Sequence, residues 1–259
     1  MYNVTPGLAL AWESLLHVVI DGLRRRGWDD PMHVVPTPDD LMAFWRAPDL
    51  LLSQTCGYPL VMALQSAVRV LAVPAFALPG CDGMAYRSVI LVPEDGVRSL
   101  DALRGSVAAI NQDHSQSGMN ALRHTIAPLA RGGKFFSQVV VSGSHMASIA
   151  MLQRGQAAVA AIDCATYGLA VRHAPKLVAG VRQLQTTAPA PGLPLITSRQ
   201  LTEAQAQDLQ DVVLSLTDTA ALALQTLSID RFHAIGLPDY APIMAQARFA
   251  VGQGYPTLG

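Results

Sequence analysis

Hydrophobic positions recur along this chain at helical spacing, then at strand spacing, and the alternation persists to the C-terminus. Leu8, Trp12, Leu15, Leu16, Val19 and Leu23 share one helical face, which predicts a helix over 7–26 closed by Gly27. His33-Val34-Val35 reads as a short strand, and Thr37-Pro38-Asp39-Asp40 as a helix start with a hydroxyl cap and a first-turn proline. Apolar runs predict strands at 49–53, 69–73, 86–92, 106–110, 137–141, 157–162, 181–184 and 194–197. Helices are expected at 58–66 and 117–130, from Met146 to Gly155, at 165–173, and after the capping box Thr202-Glu203-Ala204-Gln205. Residues 74–85 and 187–194 are rich in proline and glycine and read as loops. The tail from Ile229 to Gly252 reads as helix broken at Gly236 and Pro238. Strands separated by single helices argue an α/β fold with mainly parallel sheets, in which ligands gather beyond the carboxyl ends of the strands.

Several strands run into polar segments at that end. Ser106–Ile110 leads to Asn111-Gln112-Asp113-His114-Ser115-Gln116-Ser117-Gly118, Ser137–Val141 leads to Ser142-Gly143-Ser144-His145, and Ala157–Ile162 leads to Asp163. The first two put hydroxyls where a helix start leaves backbone N–H groups without acceptors, an arrangement that holds oxyanions. Read singly, Ser115, Ser117 and Ser144 fit ordinary helix caps, and so does Asp163. His145, in the first turn, would donate to a ligand oxygen. Tyr58 and Tyr86 would supply a phenolic O–H or an aromatic wall, or else pack in the core.

Composition narrows the chemistry. The chain has 259 residues, half of them hydrophobic, enough for one or two cores. Net charge is -1 and no Lys/Arg run occurs, so the electrostatic footprint of a nucleic-acid partner is missing. Lys134 and Lys176 are the only lysines, which leaves arginine, hydroxyls and backbone amides to hold an anion. No apolar run reaches the ~20 residues of a bilayer span, so a membrane-embedded protein is not expected. The written N-terminus lacks the basic start and apolar stretch of a secretory signal. The expectation is a cytoplasmic protein as written, or a periplasmic one if the true start lies upstream. Cys56, Cys81 and Cys164 form no Cys-x-x-Cys pair. Cys56 and Cys81, each beside a glycine, admit a bridge, while free, mostly buried thiols are the commoner outcome. No metal-ligand spacing, Walker loop or dinucleotide fingerprint is present, so neither metal nor cofactor is expected. Ser144, His145 and Asp163 lack a Gly-x-Ser-x-Gly elbow, which argues against a serine hydrolase.

Taken in order, Ser115-Gln116-Ser117-Gly118, Phe135-Phe136, Ser142-Gly143-Ser144-His145 and Ala161-Ile162-Asp163 resemble the phosphonate-binding proteins of ABC transporters, which are type 2 periplasmic binding proteins. Tyr86–Val92 and Ser99–Gly105 resemble that family's strand into the second lobe and the short helix after it. The resemblance implies two α/β lobes with a ligand cleft between them, one lobe from 1–86 with 189–259 and the other inserted at 87–188. It implies a small oxyanion of the phosphonate, phosphate or phosphite class held by Ser115, Ser117, His145 and amides near Gln116. Ser144, Tyr58 and Tyr86 would line the site, and Asp163 would meet the ligand's other end. The expected role is a non-enzymatic solute-binding component serving an ABC permease. The alternatives are a cytosolic sensor using the same cleft and an enzyme built on this fold. Gln116 stands where the family commonly has threonine, which removes one hydroxyl donor. No second carboxylate is in place for an amine-bearing ligand, which leaves phosphate and phosphite open.

Overall fold

The computed structural model describes residues 2–259, Asp218 by its backbone only. The chain forms two compact units: 1–77 with 82–84 and 192–239, and 78–81 with 85–191 and 240–259. By its contacts the C-terminal segment therefore belongs with 85–191 rather than with 192–239.

The first unit starts with the helix Pro6–Arg24. Thr5 caps it, its hydroxyl accepting from the Leu8 amide at 3.3 Å, and Pro6 takes the first helical position. Leu8, Trp12, Leu15, Val19 and Leu23 are buried, as their spacing predicts. The sheet of this unit has four strands in the order Ser53–Gln54, Leu195–Ser198, Val68–Phe76 and Ile229–Ala234, every neighbour antiparallel. The capping box at Thr202 and Gln205 opens the helix Glu203–Leu214.

Three expectations are corrected here. The tail is not helical from Ile229, because Ile229–Ala234 is a strand beside Val68–Phe76 and the helix begins only at Ala241. His33–Val35 pairs with nothing in the sheet and is no strand. The helix expected after Thr37 begins at Leu41, capped by Asp40, whose carboxylate accepts from the Ala43 amide at 2.9 Å. The carboxylate is the better cap, because it offers two oxygens to the first-turn amides.

The larger sheet of the second unit has five strands in the order Gln138–Val141, Val107–Ile110, Val159–Asp163, Ser88–Pro93 and Val181–Thr186. Val107–Ile110 runs parallel to both of its neighbours, whereas Ser88–Pro93 is antiparallel to both of its own. The α/β class thus holds with mixed sheets, and the expected mainly parallel arrangement is corrected. The three parallel strands deliver their carboxyl ends to one edge. That edge is where the segments beginning at Asn111, Ser142 and Asp163 emerge. Ile90, Leu122, Ile126, Phe135, Phe136, Val159 and Tyr255 pack in the core behind it.

Candidate functional site

Three helices begin at this edge. Gln116–Asn120 is a wide π-type turn that continues as the α-helix Ala121–Ile126. Its first backbone bond spans five residues, from the Asn120 amide to the Ser115 carbonyl at 3.0 Å. Ser115 is the cap, its hydroxyl accepting from the Gly118 amide at 3.0 Å. That cap uses a lone pair of the hydroxyl and leaves its proton available to donate. Ser144 caps the helix His145–Gln153 through the Ala147 amide at 3.1 Å. Asp163 caps the helix Cys164–His173, one carboxylate oxygen accepting from the Ala165 and Thr166 amides at 2.8 and 3.2 Å.

The geometry gathers Ser115, Ser117 and His145. Ser117 Oγ lies 2.9 Å from His145 Nε2 and 3.5 Å from Ser115 Oγ. The second distance is too long for a strong hydrogen bond, so the two hydroxyls are neighbours rather than partners. Ser88, which sits opposite Asp163 in the sheet, donates from its hydroxyl to the Ser117 carbonyl at 2.9 Å. This contact fixes the first turn of the helix against the strands. His145 Nδ1 is buried without a partner, as is the Asn111 carboxamide oxygen. Loss of solvation pushes the His145 pKa down to about 4, so the imidazole is neutral at pH 7. Gly118 is required by close approach: a Cβ there would meet Asn111 Oδ1 at 1.9 Å.

Other expected residues are placed differently from one another. Gln116 turns its side chain away from Ser117, donating to Gln246 at 2.7 Å and accepting from Asn120 at 2.8 Å. Gln246 in turn donates to the Pro189 carbonyl at 3.0 Å. Only the backbone of Gln116 is thus left to face an anion. Ser144 and Asp163 both spend an oxygen on a helix cap, as their ordinary reading foresees. Tyr86 is buried in the second unit, while Tyr58 lies in the first, at the helical turn Gly57–Pro59. Sequence reasoning passed over Ser88, Asn111 as an orphaned acceptor, and Gln246. Only Asn111 carried a signal, as the first polar residue after a strand. Among the described residues no His/Cys/Asp/Glu group could hold a metal ion.

A family model for the periplasmic phosphonate substrate-binding proteins of ABC transporters matches residues 27–240. The chain belongs to this family. Among solved structures, it is similar to a binding-protein component of an ABC phosphonate transporter from Pseudomonas aeruginosa, with TM-score 0.79 and 16% identity, covering 96% of this chain and 84% of that one. It is similar also to PhnD1 of Prochlorococcus marinus in complex with methylphosphonate, with TM-score 0.74 and 17% identity over 92% of both chains. A Xanthomonas citri protein bound to ATP matches with TM-score 0.70 and 16% identity over 96% of this chain and 95% of that one. At such identities these likenesses show the shared fold. No curated protein matches. The family is described as periplasmic, and among the described residues no helix is long and apolar enough to cross a membrane.

Proposed function

We propose that this member of the family binds a small oxyanion of the phosphonate, phosphate or phosphite class and hands it to an ABC permease. The observation that carries this reading is the 2.9 Å contact of Ser117 Oγ with His145 Nε2, made where two helices begin. Each helix start carries partial positive charge from its unpaired amides, and the two hydroxyls add donors that can rotate toward an oxygen. In this reading the anion accepts from Ser115 Oγ and first-turn amides, and it opens the Ser117–His145 contact so that Ser117 Oγ and His145 Nε2 both turn their protons to it. Ser144 and Asp163 contribute as helix caps, and Tyr86 is included on the family resemblance. Tyr58 is included on the family resemblance alone.

A neutral imidazole suits such a receptor. It donates a proton without the desolvation cost that a buried cation brings when no ligand is present. Binding rather than hydrolysis is also favoured by what His145 lacks. A serine nucleophile needs its histidine oriented from the second ring nitrogen, and Nδ1 has no carboxylate on it.

Thermal shift and calorimetry on the full chain, with methylphosphonate, inorganic phosphate, phosphite and sulfate, test the reading. At least one of the phosphorus oxyanions should raise the melting temperature, and go on raising it with the logarithm of its concentration above Kd, with sodium chloride as the ionic-strength control. If all of them leave the melting curve where chloride leaves it, the reading is wrong.

A further inference from the structure

Three contacts seat one short segment on the helix Cys164–His173. Residues Leu78–Cys81 belong to the second unit, although Ala77 and Asp82 on either side belong to the first. Within the segment Leu78 packs on Gly168, where a Cβ would meet its side chain at 3.2 Å. Gly80, at φ +90, brings its Cα so close to the helix start that a Cβ would lie 2.8 Å from the Cys164 Cβ. The Cys81 amide closes the turn onto the Leu78 carbonyl at 3.1 Å. The result is a Cys81 Sγ to Cys164 Sγ distance of 3.2 Å, between cysteines 83 positions apart in sequence. Cys56, the third cysteine, lies in the first unit.

We propose that Cys81 and Cys164 are a closable dithiol, joined by disulfide exchange with an oxidised thiol compound or a disulfide-bearing protein. The bond replaces the partner anticipated for Cys81 from sequence: it is Cys164, not Cys56, that Cys81 faces. A disulfide needs its sulfurs at ~2.05 Å, so closure asks the two sulfurs to approach by about an ångström. Cys81 is half-buried and Cys164 fully buried, so the incoming disulfide meets Cys81 first. The Cys81 thiolate attacks that disulfide, forming a mixed disulfide and releasing one thiol. Cys164 then gives up its proton and attacks the Cys81 sulfur, releasing the second thiol. Two protein thiols and one external disulfide become one protein disulfide and two external thiols. The Cys164 thiol pKa is pushed up by its bond to the Cys81 sulfur, then by burial and by the Asp163 carboxylate. An oxidising compartment favours the closed form, and closure fastens one of the chain's passages between its units to the helix that Asp163 caps.

The test is independent of any anion ligand. The full chain, purified reduced, is incubated with oxidised glutathione, alkylated and digested with trypsin. The expected product links the peptide 70–87 to the peptide 155–172, with Cys56 still alkylated. Oxidation should raise the melting temperature by about 5–15 °C in the parent protein. It should leave Cys81→Ser unmoved, a variant at a half-buried position that spares the core. Alkylation of all three cysteines after oxidation overturns the proposal, and so does any cross-link that contains Cys56.

Discussion

Ser117 and His145 stand 28 positions apart in sequence, yet their Oγ and Nε2 atoms meet at 2.9 Å because two adjacent parallel strands end side by side. The strand Val107–Ile110 hands the chain to the Ser115 cap, and Gln138–Val141 hands it to the Ser144 cap. The sheet sets the spacing, and the caps aim the helices. We expect Ser117→Ala, His145→Ala and Ser115→Ala each to weaken oxyanion binding by about 1–3 kcal/mol. The Ser117 and His145 losses should fall short of additive in the double variant, because both remove one shared contact. Calorimetry in all four proteins checks this, and full additivity would separate the two residues into independent roles.

Gly118 and Asn111 form a second dependent pair. A methyl group on residue 118 would sit 1.9 Å from Asn111 Oδ1, which neither atom can tolerate. Gly118→Ala should therefore destabilise the chain by about 1–3 kcal/mol in urea denaturation. Adding Asn111→Ala should restore part of that loss by clearing the space. If the single variant melts like the parent, the close approach is not what holds this turn.

Acid should weaken the fold in a specific window. The His145 pKa falls from 6.5 unfolded to about 4 folded, so the unfolded chain takes up the proton first. Stability is then unaffected at neutral pH, begins to fall as pH drops below 6.5, and levels off once pH is below about 4. Desolvation of His124 acts with the same sign. His145→Gln should flatten the descent by about 1–3 kcal/mol across that window. Melting temperatures at stepped pH, parent against variant, give the comparison.

Asp163 offers a way to separate a cap from a ligand contact. Asp163→Asn retains an oxygen for the Ala165 and Thr166 amides, whereas Asp163→Ala removes it. We expect the alanine variant to lose about 1–2 kcal/mol of stability and the asparagine variant only a fraction of that. A loss of oxyanion affinity in the asparagine variant, at parental stability, would assign the carboxylate a part in binding as well.

Local signals in the sequence carried most of the second unit. The serines at 115 and 144 announce helix starts, and apolar runs before them announce strands, because a cap and a buried strand are decided within a few residues. The capping box at Thr202 was legible for the same reason. What failed is what depends on distant partners. Ile229–Ala234 buries Ile229 and Phe232 with exposed residues between them, a spacing that mimics a helix. It is a strand whose register shifts between Ile229 and Arg231 against Val68–Phe76, and that irregularity breaks the alternation a strand normally shows. His33–Val35 failed in the opposite sense, with strand-like residues that find no neighbour. Gln116 was expected to contribute through nearby backbone amides, and the partner of its side chain is Gln246, 130 positions away. No local pattern encodes that.

The last twenty residues lie in the same unit as the serine–histidine pair, and they are stitched to it at several points. Gln246 holds Gln116, the Arg123 guanidinium donates to the Pro256 carbonyl at 2.6 Å, and the Asn120 carboxamide donates to the Ile243 carbonyl at 3.3 Å. Shortening the polypeptide from this end would loosen the turn that begins at Ser115 long before any first-unit residue felt it. For anyone preparing the protein, a nick near Tyr240 would be felt first at the turn around Ser115, where a trimmed tail would pass unnoticed in a chain without those ties.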